Sequence, residues 1–213
     1  MNITREQLKL YAVTDRTWLG NETLYEQVEK ALKGGVTLVQ LREKELDEET
    51  FEKEGRELLE LCHRYHVPLI INDNVALAKK INADGVHIGQ SDMAMQHARE
   101  LLGADKIIGV TAKTVEQAKA AQVAGADYLG SGAVFGTSTK ADAKPMELAL
   151  FQEICESVEI PVVAIGGISG DNVLRLKGKK MAGIAVVSGI FACEDIEKGT
   201  AELLEKVNSI IEQ

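Results

Sequence analysis

The chain of 213 residues is long enough to bury a large core, and its formal net charge of −9 argues against a dedicated nucleic-acid binder, because affinity for a phosphate backbone needs a surplus of Lys and Arg on one face. Composition is that of a soluble globular protein, 45% hydrophobic and 27% charged; no apolar run approaches the roughly 18–20 residues of a bilayer span, and the opening MNITREQLKLYAVTD has no signal-peptide core, so a cytoplasmic protein with small-molecule partners and no membrane partner is expected. The three cysteines, Cys62, Cys155 and Cys193, form neither a disulfide framework nor a recognisable metal site, which fits a reducing compartment.

Short apolar runs recur at 9–15, 37–42, 68–72, 85–89, 107–111, 127–131, 161–165 and 182–187, with amphipathic stretches between them. The clearest of these stretches predicts a helix over 48–65, since Phe51, Gly55, Leu58, Cys62 and Tyr65 recur every three or four residues and leave the glutamates on the other face. Strands joined by crossover helices run parallel, and eight of them in this length predict an α/β fold of the closed (β/α)8 TIM-barrel type in preference to an open doubly wound sheet. No linker, charge block or low-complexity tract divides the chain, so residues 1–213 are read as a single TIM-barrel catalytic domain. Outward helices of such a barrel serve solvent or a second copy equally well, which leaves a homo-oligomer open.

In a parallel barrel the active site is built at the C-terminal ends of the strands. At the second strand Gln40, Arg42 and Lys44 alternate with Leu41 and Glu43, so strand periodicity puts an amide and two cations on one side of the mouth; a solvated charge run is the bland alternative. The third strand runs into Asn72-Asp73-Asn74 and the fourth into Gln90-Ser91-Asp92, where an acid serves either as a helix N-cap or, as a pair of carboxylates, as a site for a hard divalent cation. The sixth runs into Thr137-Ser138-Thr139-Lys140, hydroxyls and an ammonium of the kind phosphate oxygens accept from. The seventh and eighth end in Gly166-Gly167 and Val187-Ser188-Gly189, at the usual phosphate site of such barrels. His63, His66 and His97 read as surface helical residues, and His87, inside a strand, as a packed and hydrogen-bonded one. Together these residues predict two anion sites, one of them assisted by a metal.

The pieces LYAVTD (10–15), GVTLVQLREK (35–44), LIINDNVALA (69–78), ADGVHIGQSDM (83–93), IIGVTAKT (107–114), GADYLGSGAVFGTSTK (125–140), PVVAIGGI (161–168) and GIAVVSGIF (183–191) resemble, in order and spacing, the thiamine-phosphate synthase family along essentially the whole chain. The resemblance implies a transferase that joins an aminopyrimidine diphosphate to a thiazole phosphate, through a pyrimidine carbocation, with release of pyrophosphate. It also implies roles. Gln40, Leu41, Arg42, Glu43, Lys44, Asn72, Thr111 and Lys140 would bind the pyrimidine diphosphate, with Arg42, Lys44 and Lys140 as the catalytic cations. Thr137, Ser138, Thr139, Gly167, Val187 and Ser188 would bind the thiazole phosphate, and Asp73 and Asp92 would hold Mg²⁺.

Four positions depart from the family pattern: Thr111 stands where serine is usual, Lys113 where histidine is common, and Ala133 and Gly136 where prolines are common. The proline losses are expected to loosen the loop after the sixth strand, because glycine has more conformational freedom to lose on ordering. Two other readings are a thiazole tautomerase of the same barrel family, disfavoured because a lysine at 113 is a poor replacement for a histidine base, and a silent binder of thiamine precursors, disfavoured because Asp73, Asp92 and Lys140 are all present.

Overall fold

The computed structural model describes residues 3–89, 95–136 and 145–211. Eight parallel strands, β1 (Leu10–Val13), β2 (Leu38–Leu41), β3 (Leu69–Asn72), β4 (Gly85–Ile88), β5 (Ile107–Thr111), β6 (Tyr128–Gly132), β7 (Val162–Ile165) and β8 (Gly183–Val186), close in sequence order into a barrel, with β8 pairing back onto β1. Each lies within one or two residues of an apolar run in the sequence. The surrounding helices are α1 (Leu24–Lys33), α2 (Glu48–Arg64), α3 (Val75–Ile81), α4 (Met95–Leu102), α5 (Val115–Val123), α6 (Leu148–Ser157), α7 (Ser188–Phe191) and α8 (Ile196–Asn208).

Local chemistry sets the helix starts. Thr23 and Glu26 close a capping box on α1, and Asp47 accepts from Thr50 N at the start of α2, each satisfying amides that have no partner inside the helix. The face of α2 carrying Phe51, Gly55, Leu58 and Cys62 is buried, as its spacing predicts. One crossover departs from expectation. Between β7 and β8 the only helical element is a 3-10 turn, Val173–Leu176, in a segment that holds Gly166, Gly167, Gly170 and Gly178; glycine is a poor helix former, and Val173 and Leu176 still bury their side chains over the sheet.

Strand alternation divides the core into two layers. Ala12, Val39, Leu41, Leu69, Ile71, Val86 and Leu129 face outward beneath the helices, while Tyr11, Val13, Leu38, Ile70, Ile107, Tyr128, Val163 and Ala185 fill the barrel itself. The two tyrosines are the largest interior side chains, with ring centroids 5.9 Å apart in an edge-to-face arrangement. Room for Tyr128 comes from the neighbouring strand, where a Cβ on Gly109 would lie 2.1 Å from the Tyr128 ring. Gly109→Ala should therefore lower the unfolding free energy by at least ~1 kcal/mol and toward the ~3 kcal/mol end of core overpacking, as urea denaturation would measure.

Candidate active site

The mouth of the barrel begins with β1 and β2. Thr14, fully buried just past β1, donates its amide to Gln40 O (2.9 Å), and its Oγ1 accepts from Arg42 N (2.9 Å), so the chain leaving β2 is fixed at the two residues that flank Leu41. Asp15 then meets the Arg42 guanidinium at 3.4 Å, and these side chains are only 14% and 9% exposed. Its other carboxylate oxygen accepts from Thr17 N and caps a 3-10 turn, Arg16–Trp18. Glu43 is drawn elsewhere: its carboxylate pairs with Arg16, which also binds Glu54 on α2, and burial pushes its pKa up despite that cation. The Leu41 side chain packs outward beneath the helices, and Lys44 is exposed.

At β3 the helix cap falls to one residue of the Asn72-Asp73-Asn74 run. Asn74, not Asp73, caps α3, accepting from Leu77 N at 2.9 Å. Asp73 instead adopts a left-handed backbone at φ 61°, uncommon for a non-glycine residue, and its carboxylate accepts from Asn72 Nδ2 at 2.7 Å. Asp73 thus follows directly on the C-terminal end of β3. Asp92, after β4, lies outside the described residues.

Thr111 ends β5, half-buried, with its Oγ1 3.0 Å from His87 Nε2. His87 Nδ1 lies 3.0 Å from Tyr128 Oη, Tyr128 Oη lies 2.9 Å from Tyr11 Oη, and Gln40 Nε2 donates to that same Tyr11 oxygen. A file of side chains thus crosses the barrel between Gln40 and Thr111. The packed reading of His87 holds, and Tyr11 and Tyr128 are the polar residues that sequence reasoning missed. Lys113 is exposed beyond β5, its amide donating to Gln117 Oε1.

The last three strand ends interlock. Val134 N and Phe135 N donate to Ile165 O and Gly166 O, which extends the β6–β7 contact past both strands, and the chain returns where Met146 N donates to Ala133 O. The guanidinium of Arg175 lies 4.8 Å from the centre of the Phe135 ring, a cation–π contact. Gly136 has φ +75°, a conformation closed to proline, so this backbone position favours glycine. Gly167 has φ +65°, and a Cβ there would lie 2.4 Å from Gly136 O. Asn172 ties the β7 turn to itself, accepting from Ser169 N (3.0 Å) and donating to Gly167 O (2.8 Å). Val187 closes the interior cluster from β8, and Ser188 opens α7, where the first amides have no partner within the helix. Thr137, Ser138, Thr139 and Lys140 lie outside the described residues.

The arrangement brings Gln40, Arg42, Asn72, Asp73, Thr111, Gly167, Val187 and Ser188 to the C-terminal ends of the strands. Its chemistry is that of binding and charge stabilisation. The buried thiols do not offer a nucleophile, since burial pushes Cys62 and Cys155 up to about 12 and keeps both protonated at neutral pH. Among the described residues no helix is long and apolar enough to cross a membrane.

A family model described as thiamine monophosphate synthase matches residues 10–190. A thiamine-phosphate synthase from Clostridium acetobutylicum is 51% identical over 89% of this chain and 90% of its own length. One from Fusobacterium nucleatum is 45% identical, over 94% and 97% of the two chains. Among solved structures, thiamine phosphate pyrophosphorylase from Pyrococcus furiosus superposes with a TM-score of 0.90 at 38% identity, covering 98% of this chain and 99% of that one.

The positive φ at Gly136 yields a test of the β6 loop. Gly136→Pro should destabilise the protein by more than ~1 kcal/mol, the usual gain from a compatible proline being reversed where the native φ excludes it; the midpoint of urea unfolding would measure it.

Proposed function

The chain belongs to the thiamine monophosphate synthase family, and from that membership we propose that it joins 4-amino-2-methyl-5-(diphosphooxymethyl)pyrimidine to 4-methyl-5-(2-phosphooxyethyl)thiazole, or to the carboxylated thiazole phosphate. The products are thiamine phosphate and pyrophosphate. One observation carries the reading: the match spans the strand-end segments that make up the mouth, at an identity of 51% to a relative of that name.

The reaction needs no protein nucleophile. The bond between the pyrimidine methylene carbon and the diphosphate oxygen breaks with its electron pair leaving on pyrophosphate, and the amino group of the ring delocalises the resulting cation. The thiazole nitrogen then gives its lone pair to form the new carbon–nitrogen bond. What remains for the protein is to hold the two rings in line and to stabilise charge on the leaving group. In this reading Arg42, held by Asp15, and Lys44, both just past β2, would take that task together with Lys140. Gln40, Asn72 and Thr111 would grip the pyrimidine half; Thr137, Ser138, Thr139, Gly167, Val187 and Ser188 would take the thiazole phosphate.

Asp73 and Asp92 would hold Mg²⁺. The donor set fits in kind, because Asp73, next after β3, is a hard carboxylate and Asn74 supplies the cap of α3, and Mg²⁺ is commonly bound by one or two carboxylates completed by substrate phosphates and water. When bound, the ion supplies charge neutralisation at the diphosphate.

Purified protein incubated with both substrates and Mg²⁺ should form thiamine phosphate, and EDTA should abolish it. No product under any condition would reject the synthase reading, whereas turnover that EDTA leaves untouched would reject only the metal. Lys140→Ala should lower single-turnover condensation by roughly 10² to 10³, the loss typical of one charge-stabilising donor.

A further inference from the structure

The file of side chains across the barrel has a direction that the donor inventory dictates. Gln40 Nε2 donates to Tyr11 Oη, and an amide NH₂ has no lone pair to offer in return, so the Tyr11 hydrogen goes to Tyr128 Oη. Tyr128 is fully buried, and among the described residues its own hydrogen has one remaining acceptor, His87 Nδ1 at 3.0 Å. The bare nitrogen of the imidazole is then Nδ1, its proton sits on Nε2, and Nε2–H donates to Thr111 Oγ1 at 3.0 Å. Burial raises the pKa of both phenols, so each keeps the hydrogen that this sequence of donors requires.

We propose that Tyr11, Tyr128 and His87 are positioning residues that carry the donor sense of the Gln40 amide across the barrel, hold His87 as its Nε2–H tautomer, and turn the hydrogen of the Thr111 hydroxyl away from His87, the sense in which Thr111 would donate to the pyrimidine-bearing substrate. The proposal rests on the synthase reading for its substrate and on the interior geometry for its direction. Its physical basis is the cost of a wrong proton in a buried place: reversing any one link leaves two donors facing each other or an oxygen without a hydrogen to accept, and such a group costs more than a satisfied bond gains. Both ends of the file stand among the residues read as contacts of the same substrate, so the orientation of one is linked to the other through the core.

The tautomer can be read directly in the full-length, ¹⁵N-labelled chain, without substrate, from long-range proton–nitrogen correlations of the imidazole, with the His87 signals assigned by their loss in His87→Gln. We expect Nδ1 in the unprotonated range and Nε2 in the protonated range. In Gln40→Glu an acceptor-only carboxylate would reverse the file, and His87 should acquire a proton on Nδ1. Tyr11→Phe, which removes one oxygen from the interior and nothing from the mouth, should lower kcat/KM for the pyrimidine diphosphate about tenfold, roughly what one net hydrogen bond is worth, and should dissolve the single-tautomer signature. A wild-type His87 protonated on Nδ1 would overturn the proposal with no variant needed, and so would a tautomer indifferent to both Gln40→Glu and Tyr11→Phe. Because the signal is recorded without substrate, an expected tautomer in a protein that makes no thiamine phosphate would sink the synthase reading and leave the relay, while the converse result would sink the relay alone.

Discussion

Tyr128 packed against the bare face of Gly109 is the contact on which the rest of the interior depends. A closed barrel of this size must be filled by its own side chains at the density of a crystal, and one large ring can do much of that only if the facing strand yields the space. Filling the centre with a phenol brings a hydroxyl into a region closed to bulk solvent. That hydroxyl must be partnered, and Tyr11 from one side and His87 from the other meet it. His87 in turn leans over β6, where a Cβ on Gly130 would lie 3.1 Å from its ring. The choice of filler therefore propagates outward until it reaches Thr111 and Gln40, so the polar groups at the mouth take their positions from the packing beneath them.

The barrel was legible because its signals are local. Alternating apolar runs, helical spacing over 48–65 and glycine-containing turns each report on a few consecutive residues, and eight such runs leave little choice of topology. The strand-end residues were legible for the same reason, since a parallel barrel assigns its chemistry to one end of every strand. What could not be read were pairings across large sequence distance. Tyr11 and Tyr128 are 117 residues apart, and in the sequence each is only an aromatic within an apolar run. The division of labour between Asp73 and Asn74 was equally hidden, because both residue types cap helices well and only the left-handed turn at Asp73 assigns the cap to its neighbour. Nor does a glycine in a sequence reveal the sign of its φ, so the conformation of Gly136, one closed to proline, was hidden as well.

The Thr14-Asp15 pair shows a middle case. It was visible as part of a matching segment, yet nothing local says what it does. In the fold it grips the next strand: a buried hydroxyl accepts from the Arg42 amide, and a mostly buried carboxylate faces the guanidinium. An arginine placed by its main chain and its side chain at once loses little further freedom when it meets an anion, which is the condition for a fixed charge to favour a transition state over a ground state.

The turn after β7 carries a different consequence. Asn172 closes it through bonds to Gly167 and Ser169, all within one short stretch of chain, and neither of those two bonds reaches into the body of the barrel. A second tie runs outward, since Lys206 Nζ on α8 donates to Gly170 O at 2.9 Å. A turn closed by its own asparagine and anchored to the last helix by one ammonium draws its support from two parts of the chain far apart in sequence, so the crossover behind it can shrink to a single 3-10 turn, as it does here, without leaving the loop unsupported.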